Sequence, residues 1–531
     1  MMLVLKFFVE GIAVITALVV VLFALSQAWL AVNYRRSKLY AENSTPDKEW
    51  IGPLPRILLQ LPVFNERYVI ARLLDAVSKL DYPRGLLNIQ VLDDSTDETS
   101  QIAACVIAEM KKKGVLIQHI RRIDRTGFKA GALQAGLALD NSGFVVIFDA
   151  DFVPHPGFLK QVIGYFNEPN VGMVQTRWEH LNAEYSLLTK LLSFGIDAHF
   201  SVEQGGRQAT GSFINFNGTA GMWRRKTIDE AGGWHNDCLT EDLDLSFRAQ
   251  LLGWRFLFVE NITTPSELPV EMSAIRTQQF RWTKGAAETA RKNLSRLWSS
   301  EFPFSTKLVG SFHMLNSFVF PSLLLFSLSV ALFPFVFGEQ TSQVFVPIGV
   351  LLLISSVAIL FTYWVAQTDG SLKSSVKGTT TILVRAVLFM LITSGLGIHN
   401  GLAVMQGLLG RATPFVRTPK LNIIANGQKI GDRRAYLVVF SYPLLVAELV
   451  LAGLFSGLAI YCCFMGYYAV IPSYVFFAGG YFMVGCFSIM EMLAASKPPG
   501  SNMATPATEH ETPSDAIKPA DYLSSEAAPL L

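Results

Sequence analysis

Hydropathy divides the chain into two regimes. Residues 7–32, FFVEGIAVITALVVVLFALSQAWLAV, stay apolar for longer than the roughly 20 residues a bilayer span requires, and NYRRSK follows at once. The run predicts a membrane helix over 1–35 with its carboxyl end in the cytoplasm. A cleaved signal would have a basic start, a shorter apolar core and small residues at its end, and none of these fits. Over 53–300 the pattern changes to short apolar runs, RILLQLPV, NIQVLDD, VLIQHI and FVVIFDAD, separated by stretches of helical period. That alternation is the signature of an α/β domain on a mostly parallel sheet. Past residue 308 four runs are long enough to cross a bilayer, at about 309–337, 344–366, 435–460 and 467–491. They predict one pair of spanning helices within 305–366 and a second within 434–493.

A fifth run, 380–404, carries Arg385, Thr393, Ser394, His399 and Asn400. If it crossed, the segment 411–434, with Arg411, Arg417, Lys420, Lys429, Arg433 and Arg434, would face outside, against the positive-inside tendency. The interval 378–433 is therefore expected as a helix on the cytoplasmic interface followed by a cytoplasmic loop. The connections GEQTSQ and GYYAV carry no Lys or Arg and are expected outside. The tail 496–531, rich in Pro, Ala, Ser, Thr and Glu, cannot bury a core and is expected to be disordered.

Composition sharpens this outline. With 51% apolar and 16% charged residues, the 531-residue chain is too long for one compact domain and too apolar for a soluble protein. A net charge of +2 is too small to argue for nucleic acid, which is not expected as a partner, and any basic patch has to be judged locally. Cys105, Cys238, Cys462, Cys463 and Cys486 show neither a paired framework nor metal-ligand spacing, and are expected to serve packing.

Candidate chemistry lies where apolar runs end abruptly in acids, because ligands of open α/β sheets bind beyond the strand ends. IQVLDDSTDET ends in Asp93 and Asp94, although Asp-Ser-Thr-Asp would also cap a following helix. FVVIFDADF ends in Asp149 and Asp151, two carboxylates that repel unless a cation lies between them. Hard oxygen ligands of this kind suit Mg²⁺ or Mn²⁺, and such an ion calls for an anionic ligand such as a diphosphate. A third cluster, Glu241, Asp242 and Asp244 in TEDLDLSF, fits the first turn of a helix capped by Thr240; beside a metal-diphosphate site, one of its carboxylates is also a candidate general base. Just before the second apolar region, TQQFRWTKG puts Gln278, Arg281 and Trp282 on nearly one helical face. An interfacial helix with its Arg and Trp at the headgroups would show the same pattern.

Seven motifs, LPVFNE, VLDDS, KAGAL, DAD, NGTAGMWR, TED and QQFRW, occur in this order over about 55–425, with SELP and GLLGRATPFVRTPK beside them. In them the chain resembles the processive family 2 glycosyltransferases of the cellulose synthase superfamily, most closely its cellulose-synthase-like mannan and glucan synthases. The resemblance implies a GT-A type, Rossmann-like α/β catalytic domain inserted between transmembrane helices. It implies that Asp93, Asp94, Lys129, Asp149, Gln278 and Arg281 bind a nucleotide-sugar donor, UDP-glucose or GDP-mannose. Asp149 and Asp151 would hold Mg²⁺ or Mn²⁺, and Asp242 would be the base. Asn217, Gly218, Glu241 and Trp282 would contact the acceptor, and Phe415, Arg417, Thr418 and Lys420 would form a gating loop over the nucleotide. That loop has a shifted motif order here, and Asn217 stands where cellulose synthases usually carry Cys, which argues against cellulose as product.

The expectation is an inverting enzyme that polymerises a β-linked hexose, glucan or mannan, on a growing polysaccharide acceptor and extrudes it across the bilayer, with glucose as the favoured sugar. The membrane would be the plasma (inner) membrane, or the Golgi in a eukaryote, with the catalytic domain in the cytoplasm. His313, Asn316, Tyr363, Trp364, Ser441, Tyr442 and Glu448 are expected to line the product channel. A lipid glucosyltransferase adding one sugar to ceramide or diacylglycerol would share the metal site and the Q-x-x-R-W pattern. A transporter or scaffold with a degenerate site fits poorly with the retained carboxylates.

Overall fold

A computed structural model of the chain describes residues 1–40, 48–371, 374–413, 415–424, 428 and 441–495. The tail 496–531 and the basic positions Lys429, Arg433 and Arg434 lie outside the described residues.

The apolar runs become strands β1 (Ile57–Val63), β2 (Leu87–Asp93), β3 (Ile117–Arg121), β4 (Phe144–Ile147), β5 (Val171–His180), β6 (Gly221–Arg224) and β7 (Arg255–Ser266). They form one seven-stranded sheet in the order β3-β2-β1-β4-β6-β5-β7. β6 runs antiparallel to both β4 and β5, and every other pairing is parallel. Parallel central strands are covered on both faces, which is why β1 and β4 read as near-continuous apolar runs, interrupted only by the buried Gln60, rather than alternating ones. One face packs Leu59, Leu61, Val91, Val146 and Phe158 into a core, and the other packs Leu58, Leu133, Val145, Phe216 and Trp223. Each fully buried aliphatic side chain of this kind contributes about 1.5–3 kcal/mol.

The sheet order turns back at β1, with β2 on one side and β4 on the other, so a crevice opens at the carboxyl ends of these three strands. Every acidic motif from the strand region ends there. The long helix Met272–Trp298 passes over this edge and carries Gln278, Arg281 and Trp282 at i, i+3 and i+4.

Among the described residues, six helices are long and apolar enough to cross a bilayer: Met2–Leu39, Phe304–Ala331, Phe333–Gln367, Val376–Gly395, Tyr442–Met465 and Tyr468–Ala494. The fourth departs from the single interfacial helix expected over 380–404. The interval is two helices, Val376–Gly395 and Gly397–Leu408, meeting at Leu396, and the first has the length and hydropathy of a span. Its most apolar window is only 11% buried, so most of its surface faces away from the protein.

Polar ties join these helices to the sheet domain. The Tyr34 hydroxyl, near the end of the first helix, lies 2.9 Å from Glu260 Oε1 of β7 and 2.7 Å from Asp369 Oδ1, and Lys38 bridges the same two carboxylates at 3.0 Å each. Arg276 donates to both oxygens of Glu448 at 2.8 and 2.6 Å, and both residues are buried. Glu448 is thus a helix-to-helix tie and is not on the wall of the cavity described below. The five cysteines are all free, with Cys105 and Cys463 exposed rather than packed.

Candidate active site

The carboxyl edge of the sheet brings most of the sequence candidates together. Asp149 and Asp151 follow β4 directly. Asp149 is fixed by its own N–H, which donates to Thr219 Oγ1 at 2.9 Å, and its carboxylate accepts from Lys129 Nζ at 2.6 Å. Asp151 accepts from Lys420 Nζ at 2.7 Å. The repulsion expected between the two carboxylates is therefore relieved by two lysine ammonium groups. Lys129 itself, at the start of the helix Phe128–Leu137, also donates to Gly218 O at 3.0 Å. Burial would lower its pKa, but Asp149, Glu241 and Asp242 together raise it.

Asp93 and Asp94 separate because consecutive residues of a strand end face opposite ways. Asp94 is clasped by both Arg122 Nε, at 2.9 Å, and Arg122 Nη2. Asp93 turns inward instead, with its side chain inaccessible, and accepts from Ser95 N–H at 2.8 Å and Ser100 Oγ at 2.6 Å, with His119 Nε2 at 2.8 Å. Burial would raise this carboxyl, and these bonds hold it at about 2. Asp93 therefore braces the loop, with both of its oxygens engaged inside the fold rather than turned to the crevice as the sequence reading expected.

The TED segment opens the helix Glu241–Leu251, with Asp242 in its first turn. Burial, reinforced by the neighbouring Glu241, pushes the Asp242 carboxyl up to about 7 against the pull of Lys129. A base that titrates near neutrality suits proton abstraction at neutral pH. Burial also raises Glu241. The two acids part company in space: Asp242 lies on the wall of a cavity of about 930 Å³, whereas Glu241 lines a separate one of about 270 Å³ with Lys129, Lys284, Arg291, Arg411 and Phe415. That location sets Glu241 among basic groups and away from the large cavity expected for the acceptor.

Two glycines make the approach to Asp242 possible. Gly218 adopts φ +80, and a Cβ there would stand 2.9 Å from Asp242 Oδ2 and 3.4 Å from Lys129 Nζ. Gly285 lets the helix Met272–Trp298 close on Thr240, two residues before Asp242, since a Cβ there would stand 2.5 Å from Thr240 Cγ2 and 2.7 Å from Thr240 N. With that contact made, Trp282 and Gln278 share the wall of the large cavity with Thr240, Asp242 and Asn217. The cavity continues between the apolar helices past Phe320, Ser355, Phe389 and Phe476. His313, Asn316 and Tyr363 lie on its wall as expected; Trp364, Ser441 and Tyr442 do not.

The segment 415–424 reaches back over the crevice. Arg281 Nη2 donates to Thr418 Oγ1 at 2.9 Å, and the Arg281 guanidinium stands 4.7 Å from the centre of the Phe415 ring, which stacks on Phe128 at 5.7 Å. Arg417 lies 3.8 Å from Glu66 of the LPVFNE motif. Lys420, besides Asp151, donates to Glu267 O, and Leu421 N–H donates to Glu267 Oε1 at 2.8 Å. Glu66, Arg122, Thr219, Glu267 and Gly285 were not singled out by sequence reasoning. Glu66, Thr219 and Glu267 lie inside the quoted motifs LPVFNE, NGTAGMWR and SELP, which was the available signal.

A second acidic group, His235, Asp237 and Asp244, has its ligand atoms within 4.8 Å of one another. Lys292 Nζ stands 3.0, 2.8 and 3.1 Å from them and supplies the balancing charge, so the group is an ion-pair cluster.

These features define a glycosyltransferase domain on a membrane-helix frame, with a DxD-type carboxylate pair at a strand end. Residues 55–285 match the family described as Glycosyltransferase like family 2. The chain is 33% identical over 425 residues to glucomannan 4-beta-mannosyltransferase 9 of Arabidopsis thaliana, covering 78% of this chain and 75% of the relative. It is 43% identical over 262 residues to glucomannan 4-beta-mannosyltransferase 2 of the same plant, covering 48% of this chain and 49% of the relative. Among solved structures, mannosyltransferase PcManGT from Pyrobaculum calidifontis in complex with GDP-Man and Mn2+ aligns with TM-score 0.47 and 17% identity, over 72% of this chain and 98% of that one. The chain belongs to the family 2 glycosyltransferases, in the cellulose-synthase-like group that contains the plant glucomannan 4-beta-mannosyltransferases. Its strongest matches span about half the length of those curated relatives.

Proposed function

We propose that this protein is a membrane-embedded, inverting hexosyltransferase that polymerises a β-linked mannan or glucomannan from a nucleotide sugar and feeds it into the cavity between its helices. The observation that carries the proposal is that Asp242, Gln278 and Trp282 share one cavity wall, and that this cavity runs on among helices able to span a bilayer. The names of the relatives favour a mannosyl donor over the glucosyl donor expected from the sequence, and GDP-mannose is the mannosyl donor we propose.

In this reading the acceptor hydroxyl gives its proton to Asp242 as its oxygen bonds to the anomeric carbon of the donor. The bond from that carbon to the diphosphate oxygen breaks, and the electron pair leaves with the diphosphate. One displacement inverts an α-linked donor into a β-linkage. Arg281 and Gln278 hold the leaving diphosphate, with Lys129 adding charge from the opposite side of the crevice. Trp282 offers an aromatic face to the acceptor sugar. Phe415, Arg417, Thr418 and Lys420 close over the nucleotide, and Asp94 helps to seat it.

The residues at the DxD pair fit a divalent ion. Asp149 and Asp151 are hard oxygen donors of the kind a divalent ion takes, at carboxylates that here accept from the ammonium groups of Lys129 and Lys420, whose place at the pair such an ion would take. When bound, Mg²⁺ or Mn²⁺ would neutralise charge on the diphosphate. Lys420 belongs to the gating segment, so its withdrawal frees Asp151.

The six apolar helices support a multi-pass membrane enzyme; in this reading the catalytic domain lies on the cytoplasmic side of the plasma (inner) membrane or of the Golgi. The test is to incubate membranes containing the protein with radiolabelled GDP-mannose and UDP-glucose separately and together, then digest the product with β-mannanase and β-glucanase. High-molecular-weight label released by β-mannanase is the expected result. A single organic-soluble glycolipid would replace polymerisation with one-step lipid glycosylation.

A further inference from the structure

The helix Leu187–Ala198 continues directly into a π-helical turn, His199–Gln204, an uncommon conformation found mostly where function fixes side chains. This turn places His199 and Glu203 on the wall of the large cavity, beside Asn217 and Asp242. Its hydrogen bonds have a direction that the backbone dictates. The Asn215 N–H donates to Gln204 Oε1 at 3.3 Å, and the Asn215 carbonyl accepts from Gln204 Nε2 at 2.7 Å, so the Gln204 amide has one orientation. Gln204 Nε2 also donates to Asn217 Oδ1 at 2.7 Å, which fixes the Asn217 amide in turn. Asn217 Nδ2 must then donate to His199 Nε2 at 2.8 Å, and the imidazole carries its proton on Nδ1, donating to Glu203 Oε2 at 2.8 Å. The chain ends on a carboxylate that Arg207, 2% exposed, flanks at 3.7 Å.

Asn217 Nδ2 has a second N–H with no partner among the described residues, and Asn217 lines the cavity together with Asp242. The same cavity holds buried polar atoms without partners: His313 Nδ1, Ser317 Oγ and both amide atoms of Asn400, on side chains 7%, 4% and 0% exposed. Buried polar groups left unsatisfied are costly, and hydroxyl-rich ligands are the chemistry that satisfies donors and acceptors together. An apolar occupant such as an acyl chain would leave them unmet.

We propose that His199 is an acceptor-positioning residue: held by Glu203, it fixes Asn217 so that the amide's uncommitted N–H grips a hydroxyl oxygen of the terminal acceptor sugar beside Asp242. The role rests on the polymerase reading above and extends it to the residue that orients the acceptor. His199 acts through Asn217 and transfers no proton in the reaction. Its effect is on how often the donor reacts with sugar rather than with water.

The test compares His199→Leu and His199→Gln in the full-length protein in membranes or nanodiscs, with radiolabelled GDP-mannose. Polymer and free hexose are measured in the same reaction, together with the donor KM. Glutamine keeps an acceptor for Asn217 and a donor for Glu203; leucine keeps neither. With leucine, the ratio of free hexose to polymer should rise about tenfold, the worth of one buried hydrogen bond, at an unchanged donor KM. Glutamine should restore the ratio to within about twofold of wild type, a rescue that a purely structural role for the imidazole would not give. A leucine variant with the wild-type ratio, or a glutamine variant as defective as leucine, overturns the assignment. Absence of any polymer from the wild type, with labelled lipid in its place, would instead remove the polymerase reading.

Discussion

Replacing Gly218 with alanine would set one methyl group against the proposed base. The Cβ would stand 2.9 Å from Asp242 Oδ2, where ordinary contact begins at 3.4 Å, so the carboxylate must retreat by about 0.5 Å. Lys129 Nζ, at 3.4 Å, need not move. The positive φ of +80 adds about 1–2 kcal/mol of strain for any residue with a Cβ, enough to lower Tm but not to unfold a domain with two buried core faces. A displacement of 1 Å at a reacting group costs on the order of a hundredfold in rate, so half of that should cost on the order of tenfold. The assay is initial-rate polymer synthesis at saturating donor, with nucleotide binding and Tm measured on the same purified protein. Turnover should fall by about that factor while nucleotide affinity stays within about twofold. Turnover above half of wild type would refute the placement of Asp242 against Gly218. A matching loss of nucleotide affinity would move the role of this loop from the base to the donor.

Asp242→Asn should lower turnover by at least about a hundredfold with nucleotide binding retained, since the amide keeps the shape but accepts no proton. In the wild type, kcat/KM should fall as pH drops through about 7, because burial raises the Asp242 pKa to about 7 and only the ionised carboxylate serves as base; an acidic limb below pH 5 would contradict this. Chelator should abolish synthesis and added Mn²⁺ or Mg²⁺ restore it, with Asp151→Asn raising the donor KM; full activity in excess chelator would remove the ion from the account. Glu448→Leu should destabilise the detergent-solubilised protein by about 3–5 kcal/mol by stranding Arg276, and Arg276→Met in the same chain should recover most of the loss; thermal unfolding reads both.

What the sequence disclosed follows the range of each interaction. The strands were legible because parallel strands buried on both faces leave near-continuous apolar runs, and the acids ending β2 and β4 stood out against them. The spacing of Gln278, Arg281 and Trp282 was legible because it is helical and local. The inward turn of Asp93 was not, since two adjacent aspartates look alike until a strand end assigns one to each side. Lys420 on Asp151 and Asn217 on His199 join residues that no local pattern connects; their sequence separation hides them. For the 380–404 interval charge parity pointed to one interfacial helix; the chain there forms one apolar helix of span length and a second, shorter one, with the break at Leu396 that the apolar run did not show.

The central claim is that one cavity serves both bond formation at Asp242 and passage of the product, and a structure of the protein caught during synthesis tests it most directly. Cryo-electron microscopy of the wild type in nanodiscs, frozen during turnover with GDP-mannose, should show a file of hexose rings starting beside Asp242. The file should pass the Trp282 ring and run on among Phe320, Tyr363 and Phe476 on the cavity wall. An acyl chain filling that cavity, with a single sugar at the base and no file beyond Trp282, would contradict the account.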